Sequence, residues 1–399
     1  MRVLFSTTAG TGHFGPMIPV ARACAAAGHE VRVAAPDSFA SHVERADLEH
    51  EPFDDVPPDV MGAVFARLPS LSPEEANRVV VRDVFGRLDA QAAWPRVHDI
   101  VDTWRPDVVL REPCELGSLA AALRAGVPHA EVAIGLGRLR EWVGEVLVEP
   151  LLELDELAGL ASGSCLTGLA SAPVLTSVPA GLDGVADPGD DAGDDAGQAS
   201  PPVVRFRDAA SRDRQGTLPA SWGEPADPLV YVTFGSVTAG FDDLSAVFRR
   251  SLDALADLPL RVLLTTGHAG DPEALRPWPV NAHVEQWWPQ DDIMPLAAAM
   301  VGHGGFGTTM AAVAAGVPQV VIPLFAGDQF VNAARVEEVG AGIRLEGRME
   351  ATAQLGAAVE RALSDDGIRA AAQRLADEIA SLPDVSEIVV SIERLAVNH

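Results

Sequence analysis

The pattern Gly-x-Gly-x-x-Gly occurs twice in this chain, at residues 10–15 and 302–307, and each copy contains a histidine. Each copy follows an apolar run, precedes a helical pattern, and is followed by a second apolar run. A glycine turn between a strand and a helix is the centre of a βαβ unit, in which the two strands are parallel. The repeated order therefore predicts an α/β chain with two Rossmann-like parallel-sheet domains.

The length of 399 residues also favours two domains, because one hydrophobic core rarely serves so long a chain. We expect a first domain over residues 1–180 and a second over 229–383. Residues 181–228 contain the run Asp-Pro-Gly-Asp-Asp-Ala-Gly-Asp-Asp-Ala-Gly, which predicts an acidic, partly disordered linker. Residues 384–399 predict a C-terminal helix that can pack back on the first domain.

Short apolar and β-branched runs predict the strands of both sheets. In the first half, these runs lie at residues 3–5, 30–35, 50–53, 107–110 and 128–133. In the second half, they lie at residues 229–234, 260–264, 283–284, 300–301, 319–322 and 342–345.

The charged residues exclude several classes of function. The net charge of −28 argues against nucleic-acid binding, which requires a basic face. All 29 basic residues are arginine, so a Walker A loop, a pyridoxal Schiff base and a lysine nucleophile are excluded. No charged-then-apolar leader precedes the first strand, and no apolar run approaches the roughly 18 residues that span a bilayer. We expect a cytoplasmic protein without a membrane span, in which the three cysteines are buried thiols.

A set of ordered motifs points to a family. These motifs are residues 287–290 (Trp-Trp-Pro-Gln), 303–308 (His-Gly-Gly-Phe-Gly-Thr), 316–318 (Gly-Val-Pro) with Pro323, and Asp328-Gln329. The set resembles the donor signature of nucleotide-sugar-dependent GT-B glycosyltransferases. The whole chain resembles the bacterial members that decorate natural products such as macrolides and enediynes. The resemblance implies two Rossmann-like domains that face a central cleft, an acceptor domain first and a nucleotide-sugar domain second.

The first glycine loop, Gly12-His-Phe-Gly-Pro16, resembles the loop that carries the catalytic base of that family. The start of a helix disfavours a protonated imidazole, so His13 can take a proton from an acceptor hydroxyl. Glu112 follows the strand at 107–110 and is the candidate partner that orients His13, although relatives typically have aspartate at this place. From spacing alone, His13 could also fill a loop, and Glu112 could be a helix-initial acid.

The second glycine loop predicts the donor site. His303 and the amides of Gly304, Gly305, Gly307 and Thr308 would bind a pyrophosphate at a helix N-terminus. The chain has no Asp-x-Asp pair for a divalent metal, so the resemblance implies an inverting, metal-independent hexosyl transfer with no cofactor. The other expected donor contacts are Gly235 and Ser236 for the phosphates, Trp287 for the base, Gln290 within the same signature, and Asp328 and Gln329 for the sugar.

The nucleotide is predicted from one position at which this chain differs from related enzymes. Related enzymes that bind a ribonucleotide often have glutamate three residues beyond the threonine of the glycine loop, where this chain has Ala311. We therefore favour a dTDP-sugar over a UDP-sugar as the co-substrate.

The acceptor is expected to be a hydrophobic small molecule bound in the first domain. The candidate contacts are Phe14, Phe65, Trp142 and Val146, which could equally be core residues. Whether the protein assembles into a homodimer is an open question at this point.

Two other functions fit parts of the chain. The first glycine loop with Asp37 after the second strand matches the fingerprint of an NAD- or FAD-dependent oxidoreductase. Pro16 and His13 count against this, because the loop would lack an amide and would carry a ring where pyrophosphate approaches. A catalytically silent glycosyltransferase-like binding protein is the third interpretation, and the intact His13 argues against it.

Overall fold

A computed structural model describes residues 1–184, 201–208, 216–236, 238–241 and 244–397. The chain forms two compact units. The first unit comprises Met1–Ala180, Gly184–Asp208 and Leu382–His399, and the second comprises Gly181–Asp183 and Ala209–Ser381. Each unit contains one parallel sheet flanked by helices, which confirms the predicted fold class.

The first unit has a seven-stranded parallel sheet in the order β3-β2-β1-β4-β5-β6-β7. Its strands are β1 (Arg2–Ser6), β2 (Glu30–Pro36), β3 (Glu49–Phe53), β4 (Val108–Arg111), β5 (His129–Val132), β6 (Val174–Thr176) and β7 (Val203–Arg205). The helices within residues 1–184 are α1 (Thr11–Phe14), α2 (Met17–Ala26), α3 (Ala40–Arg45), α4 (Pro58–Phe65), α5 (Pro73–Val79), α6 (Ala90–Trp104), α7 (Gly117–Ala125), α8 (Gly137–Val146), α9 (Val148–Ala158), α10 (Ser164–Ser171) and α11 (Ala180–Asp183). A π-helix, Val80–Asp89, joins α5 to α6.

The second unit has a six-stranded parallel sheet in the order β10-β9-β8-β11-β12-β13. Its strands are β8 (Leu229–Thr233), β9 (Arg261–Thr265), β10 (Ala282–Glu285), β11 (Ala299–Gly302), β12 (Gln319–Val321) and β13 (Gly342–Arg344). Its helices are α12 (Ala246–Leu255), α13 (Gln290–Ile293), α14 (Phe306–Ala315), α15 (Gly327–Glu338), α16 (Leu355–Ser364) and α17 (Asp366–Ser381).

The central strands have apolar side chains on both faces because helices cover both faces of each sheet. Val3, Leu4 and Phe5 of β1 are fully buried, and so are Val230 and Val232 of β8. This pattern is the physical reason that short apolar runs marked the strands in the sequence.

The order of the strands determines where the two glycine loops lie. In the first sheet β1 lies beside β4, with Ser6 opposite Arg111, and the chain crosses over in opposite directions from these two strands. In the second sheet β8 lies beside β11, with Thr233 opposite Gly302. Ligands of open parallel sheets bind beyond the strand ends at such switch points. Each glycine loop follows a strand at a switch point.

The predicted linker contains a strand that the sequence analysis missed. Residues 203–205 form β7, which pairs with β6 at the edge of the first sheet. The run is only three residues long and lies next to an acidic segment, so its apolar character is weak in the sequence. The acidic run and the rest of the predicted linker at 185–200 and 209–215 lie outside the described residues.

The last helix, α18 (Val389–Val397), packs on the first unit. Val389 and Ile392 lie in the same apolar cluster as Val20 and Cys24 of α2. This helix begins five residues later than the predicted start at 384. Among the described residues, none of the helices combines the length and apolar character that a membrane span requires.

Candidate active site

The first glycine loop forms two helices in succession. Gly10 precedes the four-residue helix α1, and Pro16 precedes α2, which starts at Met17. His13 therefore lies in the last turn of α1, whereas the sequence analysis placed it at the start of a long helix. Proline lacks the amide that would continue the hydrogen-bond ladder, so a new helix begins after it. The helix-start effect that disfavours a protonated imidazole therefore does not apply to His13.

His13 contacts two side chains through Nδ1. Nδ1 lies 3.2 Å from Oε1 of Glu112 and 3.1 Å from Oγ1 of Thr8. The Thr8 hydroxyl and the Thr8 amide both donate to the same carboxylate oxygen, at 3.0 and 3.1 Å. A proton on Nδ1 that faces this carboxylate leaves the lone pair of the ring on Nε2. Glu112 is thus close enough to His13 to fix its tautomer, despite the extra methylene relative to aspartate.

Glu112 is fully buried, and its second oxygen accepts a 2.6 Å hydrogen bond from the Cys114 amide. Burial favours the neutral carboxyl, but the charge of His13 and the hydrogen bonds from His13, Cys114 and Thr8 outweigh it. The pKa of Glu112 is therefore held below its ordinary value. A buried carboxylate in contact with an imidazole stabilises the imidazolium that forms when the ring takes up a proton.

Cys114 completes a group that the sequence spacing did not reveal. Ligand atoms of His13, Glu112 and Cys114 lie within 4.8 Å of one another, a set of donor types that can bind zinc. However, both Glu112 oxygens already accept hydrogen bonds, and burial raises the pKa of the Cys114 thiol well above its ordinary value. The group therefore fits the transfer of a proton at His13 better than the binding of a metal.

Gly10 provides space for His13. A Cβ atom at Gly10 would lie 2.9 Å from Cδ2 of the His13 ring, closer than real Cβ contacts allow. The first glycine of the pattern therefore gives the imidazole room to lie against the backbone, whereas in dinucleotide-binding proteins the first glycine permits a tight turn.

His13 lines a cavity of about 580 Å³ that lies within the first unit. Small-molecule sites are commonly of this size. The walls are mostly apolar, with acidic side chains among them. The lining residues include Thr8, Gly10, Phe53, Asp54, Asp55, Val56, Met61, Phe65, Val84, Phe85, Asp89 and Glu115.

The four predicted acceptor contacts differ in their position. Phe65 lines the cavity and is 48% exposed. Phe14 is 2% exposed in the core beneath the first sheet, so its side chain faces away from the cavity. Val146 is also buried, in another apolar cluster. Phe14 and Val146 are corrections: helical periodicity showed that they are apolar but not which surface they cover. Trp142 is partly exposed and packs against the same cluster as Phe85, so it stays a prediction.

Sequence reasoning missed Phe85 and Asp89, which lie on the π-helix and line the cavity. The ring of Phe85 lies 5.2 Å from the His13 ring. Pattern reasoning assumes 3.6 residues per turn, and a π-helix has a wider turn that changes which side chains share a face. No signal in the sequence marked this widening.

In the second unit, His303 is held between two glycines. A Cβ at Gly235 would lie 2.8 Å from Cε1 of His303, and a Cβ at Gly305 would lie 2.5 Å from Nε2. Gly235 also has a φ of +81°, which favours glycine. Gly235 was predicted to contact the phosphates. The structure shows that the absence of a side chain at Gly235 leaves space for the His303 ring.

His303 is neutral at ordinary pH. Burial lowers the pKa of its imidazole from 6.5 to about 4, and its Nδ1 has no hydrogen-bond partner among the described residues. A buried ring nitrogen without a partner is uncommon in proteins. His303 can therefore supply one neutral hydrogen bond to a ligand, but not a positive charge.

The helix that follows His303 offers amides to an anion. Gly305 caps α14 without a side-chain hydrogen bond, so the first amides of the helix, at Phe306, Gly307 and Thr308, have no intrahelical acceptor. A helix start with unpaired amides favours phosphate. Gly304 has a φ of +87° and lies against the carbonyl of Gln329, which shapes the turn.

Ser236, predicted as a phosphate contact, lies in the loop after β8. Its side chain is exposed. A Cβ at Gly267 would lie 3.0 Å from the Ser236 Cα, so this neighbouring loop supports the backbone of Ser236.

Gln290 and Thr308 were both predicted to contact the donor, and they bind each other. The Gln290 amide donates to Oγ1 of Thr308 at 2.8 Å. The buried Tyr231 side chain hydrogen-bonds with Gln290, and its hydroxyl lies 3.0 Å from Oγ1 of Thr265. Burial raises the pKa of Tyr231, although hydrogen bonds with Thr265, Thr233 and Gln290 oppose the shift. A buried polar network therefore supports the start of α14.

The side-chain oxygen of Gln329 is bound within the protein, and its NH2 group stays a predicted sugar contact. Gln329 is 2% exposed, and its side-chain oxygen accepts hydrogen bonds from the amides of Leu324 and Phe325, at 2.9 and 3.1 Å. This oxygen closes the loop before α15 and is not available to a sugar hydroxyl. Asp328, its neighbour, lies in the first turn of α15 and is partly exposed.

Two neighbouring tryptophans, Trp287 and Trp288, have different environments. Trp287 is 56% exposed and stacks on His268 at 6.4 Å between ring centroids. Trp288 packs against an apolar cluster, and its indole donates to the carbonyl of Thr217. Ala311 packs against the same cluster as Trp288 and presents no polar group. Trp287 therefore offers an aromatic face to a ligand, with His268 as a partner that the sequence did not suggest.

Comparisons with protein families match both units. The model of the Erythromycin biosynthesis protein CIII-like N-terminal domain matches residues 22–151, and that of the C-terminal domain matches residues 249–395. Among curated proteins, L-demethylnoviosyl transferase from Streptomyces niveus is 34% identical over 96% of this chain and 95% of its own. 4'-Demethylrebeccamycin synthase from Lentzea aerocolonigenes is 29% identical, with 99% of each chain covered.

Solved structures show the same fold. The glycosyltransferase SnogD from Streptomyces nogalater is 27% identical, with a TM-score of 0.74 and 99% of each chain covered. The glycosyltransferase VinC, solved with dTDP, is 24% identical, with a TM-score of 0.76 and both chains covered completely. These likenesses span the whole chain, and the solved structures are glycosyltransferases. The chain therefore belongs to the EryCIII-like family of glycosyltransferases.

Proposed function

We propose that this enzyme transfers a hexosyl group from a nucleotide sugar to a hydroxyl of a small, largely apolar natural product. The donor is a dTDP-sugar in preference to a UDP-sugar, and the transfer inverts the anomeric centre without a metal ion. The observation that carries the proposal is the contact between His13 and the buried Glu112 carboxylate, beside an apolar cavity.

His13 acts as the general base. Its Nε2 takes the proton of the acceptor hydroxyl while the hydroxyl oxygen forms a bond to the anomeric carbon. The bond between that carbon and the diphosphate oxygen breaks, and its electron pair leaves with the nucleoside diphosphate. A single displacement of this kind inverts the configuration. Glu112 stabilises the imidazolium that forms, because its buried carboxylate lies 3.2 Å from Nδ1.

The second unit binds the donor. The diphosphate accepts hydrogen bonds from the first amides of α14, whose dipole favours negative charge. His303 adds a hydrogen bond without a charge, since the pKa of its imidazole is lowered to about 4. These groups stabilise the charge that develops on the leaving diphosphate, which is the role a divalent cation has in metal-dependent transferases.

Three observations concern the nucleotide, and the last two favour dTDP over UDP. The exposed face of Trp287 suits stacking on a pyrimidine, which both nucleotides contain. Ala311 has no carboxylate to bind a ribose 2'-hydroxyl, so a deoxyribose loses nothing at this position. VinC, which has the same fold, was solved with dTDP.

Product analysis tests the proposal. Purified enzyme is incubated with dTDP- and UDP-sugars against polyketide, enediyne and aromatic aglycones, with and without EDTA, and products are identified by mass spectrometry. NMR of an isolated product reports the anomeric configuration relative to the donor. We expect transfer from dTDP donors that is inverting, resists EDTA and is lost in His13→Ala. Retention of configuration would overturn the inverting mechanism, and abolition by EDTA would overturn metal independence. Full activity of His13→Ala would overturn the role of His13 as the base. Tight dTDP binding without turnover on any acceptor would indicate a silent binding protein.

A further inference from the structure

The π-helix Val80–Asp89 brings an acidic side chain into the cavity that contains His13. Asp89 is the last residue of this helix, and Val84, Phe85 and Asp89 all line the cavity. Phe85 lies against the ring of His13, with 5.2 Å between centroids. π-Helical turns are rare and are frequently found at functional sites. The widened helix therefore places a carboxyl group in the same cavity as the candidate base.

Among the residues that the structure describes, no hydrogen bond or salt bridge reaches the Asp89 carboxyl. Asp83 on the same helix is paired with Arg82 and Arg87, at 2.8 and 2.7 Å. Asp55, also in the cavity lining, accepts hydrogen bonds from the amide and hydroxyl of Ser38. A partly buried carboxyl without a partner is costly in a folded protein, so Asp89 is suited to a ligand.

The charges that face Asp89 are mostly negative. Burial and the charges of Glu112, Glu115 and Asp55 together raise the pKa of Asp89 to about 7, although His13 opposes the shift. No arginine is among the residues that line the cavity. A cation bound beside Asp89 would favour the ionised carboxylate and offset the negative charge around it, which a neutral ligand cannot do.

We propose that Asp89 is a specificity-determining residue that selects acceptors with a protonated amine in addition to the hydroxyl that is glycosylated. The amine donates to the Asp89 carboxylate, and the apolar body of the acceptor packs on Phe53, Phe65 and Phe85 in the cavity walls. An ammonium group supplies both a positive charge and several donors at one point. The proposal rests on the assignment of this cavity as the acceptor site.

The test measures binding to the full-length protein in the absence of a donor. The probes are 2-naphthylmethylammonium and 2-naphthylmethanol, which differ only in the charged group, and calorimetry or NMR gives their dissociation constants at pH 8. The variant Asp89→Asn removes the charge and keeps the shape. Asp59→Asn is the matched control, because Asp59 is an exposed acid on α4 that is not among the lining residues.

We expect the wild type and Asp59→Asn to bind the ammonium about tenfold more tightly than the alcohol. In Asp89→Asn the two affinities should agree within about twofold, while the affinity for the alcohol is retained. Equal affinities in the wild type would overturn the proposal. An equal loss in both variants would also overturn it, because that result indicates general attraction to an acidic protein. Thermal unfolding of each variant shows that it is folded.

The result is independent of catalysis. If ammonium binding depends on Asp89 but no sugar is transferred to any acceptor, the cavity selects cations and the proposed glycosyl transfer is wrong. If sugar is transferred by a His13-dependent reaction and the two probes bind equally, the proposed function holds and the role of Asp89 is wrong.

Discussion

Nδ1 of His13 lies 3.2 Å from the fully buried carboxylate of Glu112, and these residues come from loops that follow two adjacent strands. Both loops leave the carboxyl edge of the first sheet where the direction of chain crossover changes. The contact therefore follows from the topology, and it places an imidazole beside a buried carboxylate at the edge where α/β proteins bind ligands.

Glu112→Gln should lower kcat on the order of a hundredfold, because the imidazolium loses its neighbouring negative charge. The KM for the nucleotide sugar should change little, since the donor is expected at the second glycine loop. Steady-state kinetics give both constants. Glu141→Gln, a change of an exposed carboxylate in the same unit, is the control and should retain wild-type rates. A wild-type kcat in Glu112→Gln would remove the carboxylate from the mechanism.

Gly235→Ala should weaken dTDP binding about tenfold, because the new Cβ would lie 2.8 Å from the His303 ring and displace it. Gly340→Ala is the matched control: its φ of +74° is similar, but its nearest neighbour would be 3.8 Å away. Both variants should lose roughly 1–2 kcal/mol of stability from the left-handed backbone. Calorimetric titration with dTDP separates them. Equal affinities in the two variants would show that His303 does not contribute to donor binding.

Trp287→Ala should reduce the affinity for dTDP by about tenfold or more, since stacking of a base on an aromatic ring contributes roughly 1–3 kcal/mol. The melting temperature should change little, because the side chain is 56% exposed. Trp288→Phe should show the opposite pattern, a lower melting temperature with dTDP affinity retained, because its indole donates to the Thr217 carbonyl. Unchanged binding in Trp287→Ala would place the base elsewhere.

His303 should make stability depend on pH. The pKa of this imidazole is about 4 in the folded protein against an ordinary 6.5, so the unfolded chain binds the proton first as pH falls. Stability is therefore lost between pH 6.5 and 4, by about 2–3 kcal/mol from this residue. Urea unfolding of wild type and His303→Gln at pH 7.5 and 4.5 measures the difference. The variant should lose less stability than the wild type, and equal losses would contradict the burial of a neutral ring.

Several features of the fold and the site could be predicted because they depend on local sequence. Strands that are covered on both faces must be apolar throughout, so β1 and β8 were evident. The residues just after each strand end could be named, and this is how His13, Glu112 and His303 were found. The assignment of Phe14 and Val146 to the acceptor was wrong because periodicity identifies an apolar face without showing what covers it. The hydrogen bonds that the Gln329 oxygen accepts from Leu324 and Phe325 could not be predicted, because they depend on how the loop closes.

By itself, the sequence determined two Rossmann-like sheets and predicted a base loop and a phosphate loop, because each depends on residues that are close along the chain. Only the tertiary structure decided that Thr8 and Cys114 share the Glu112 carboxylate, and that Gly235 makes room for His303. Only it showed that a π-helix turns Phe85 and Asp89 into the cavity. These relationships join residues from separate strands and helices, and their distances depend on how those elements pack, which no local pattern encodes.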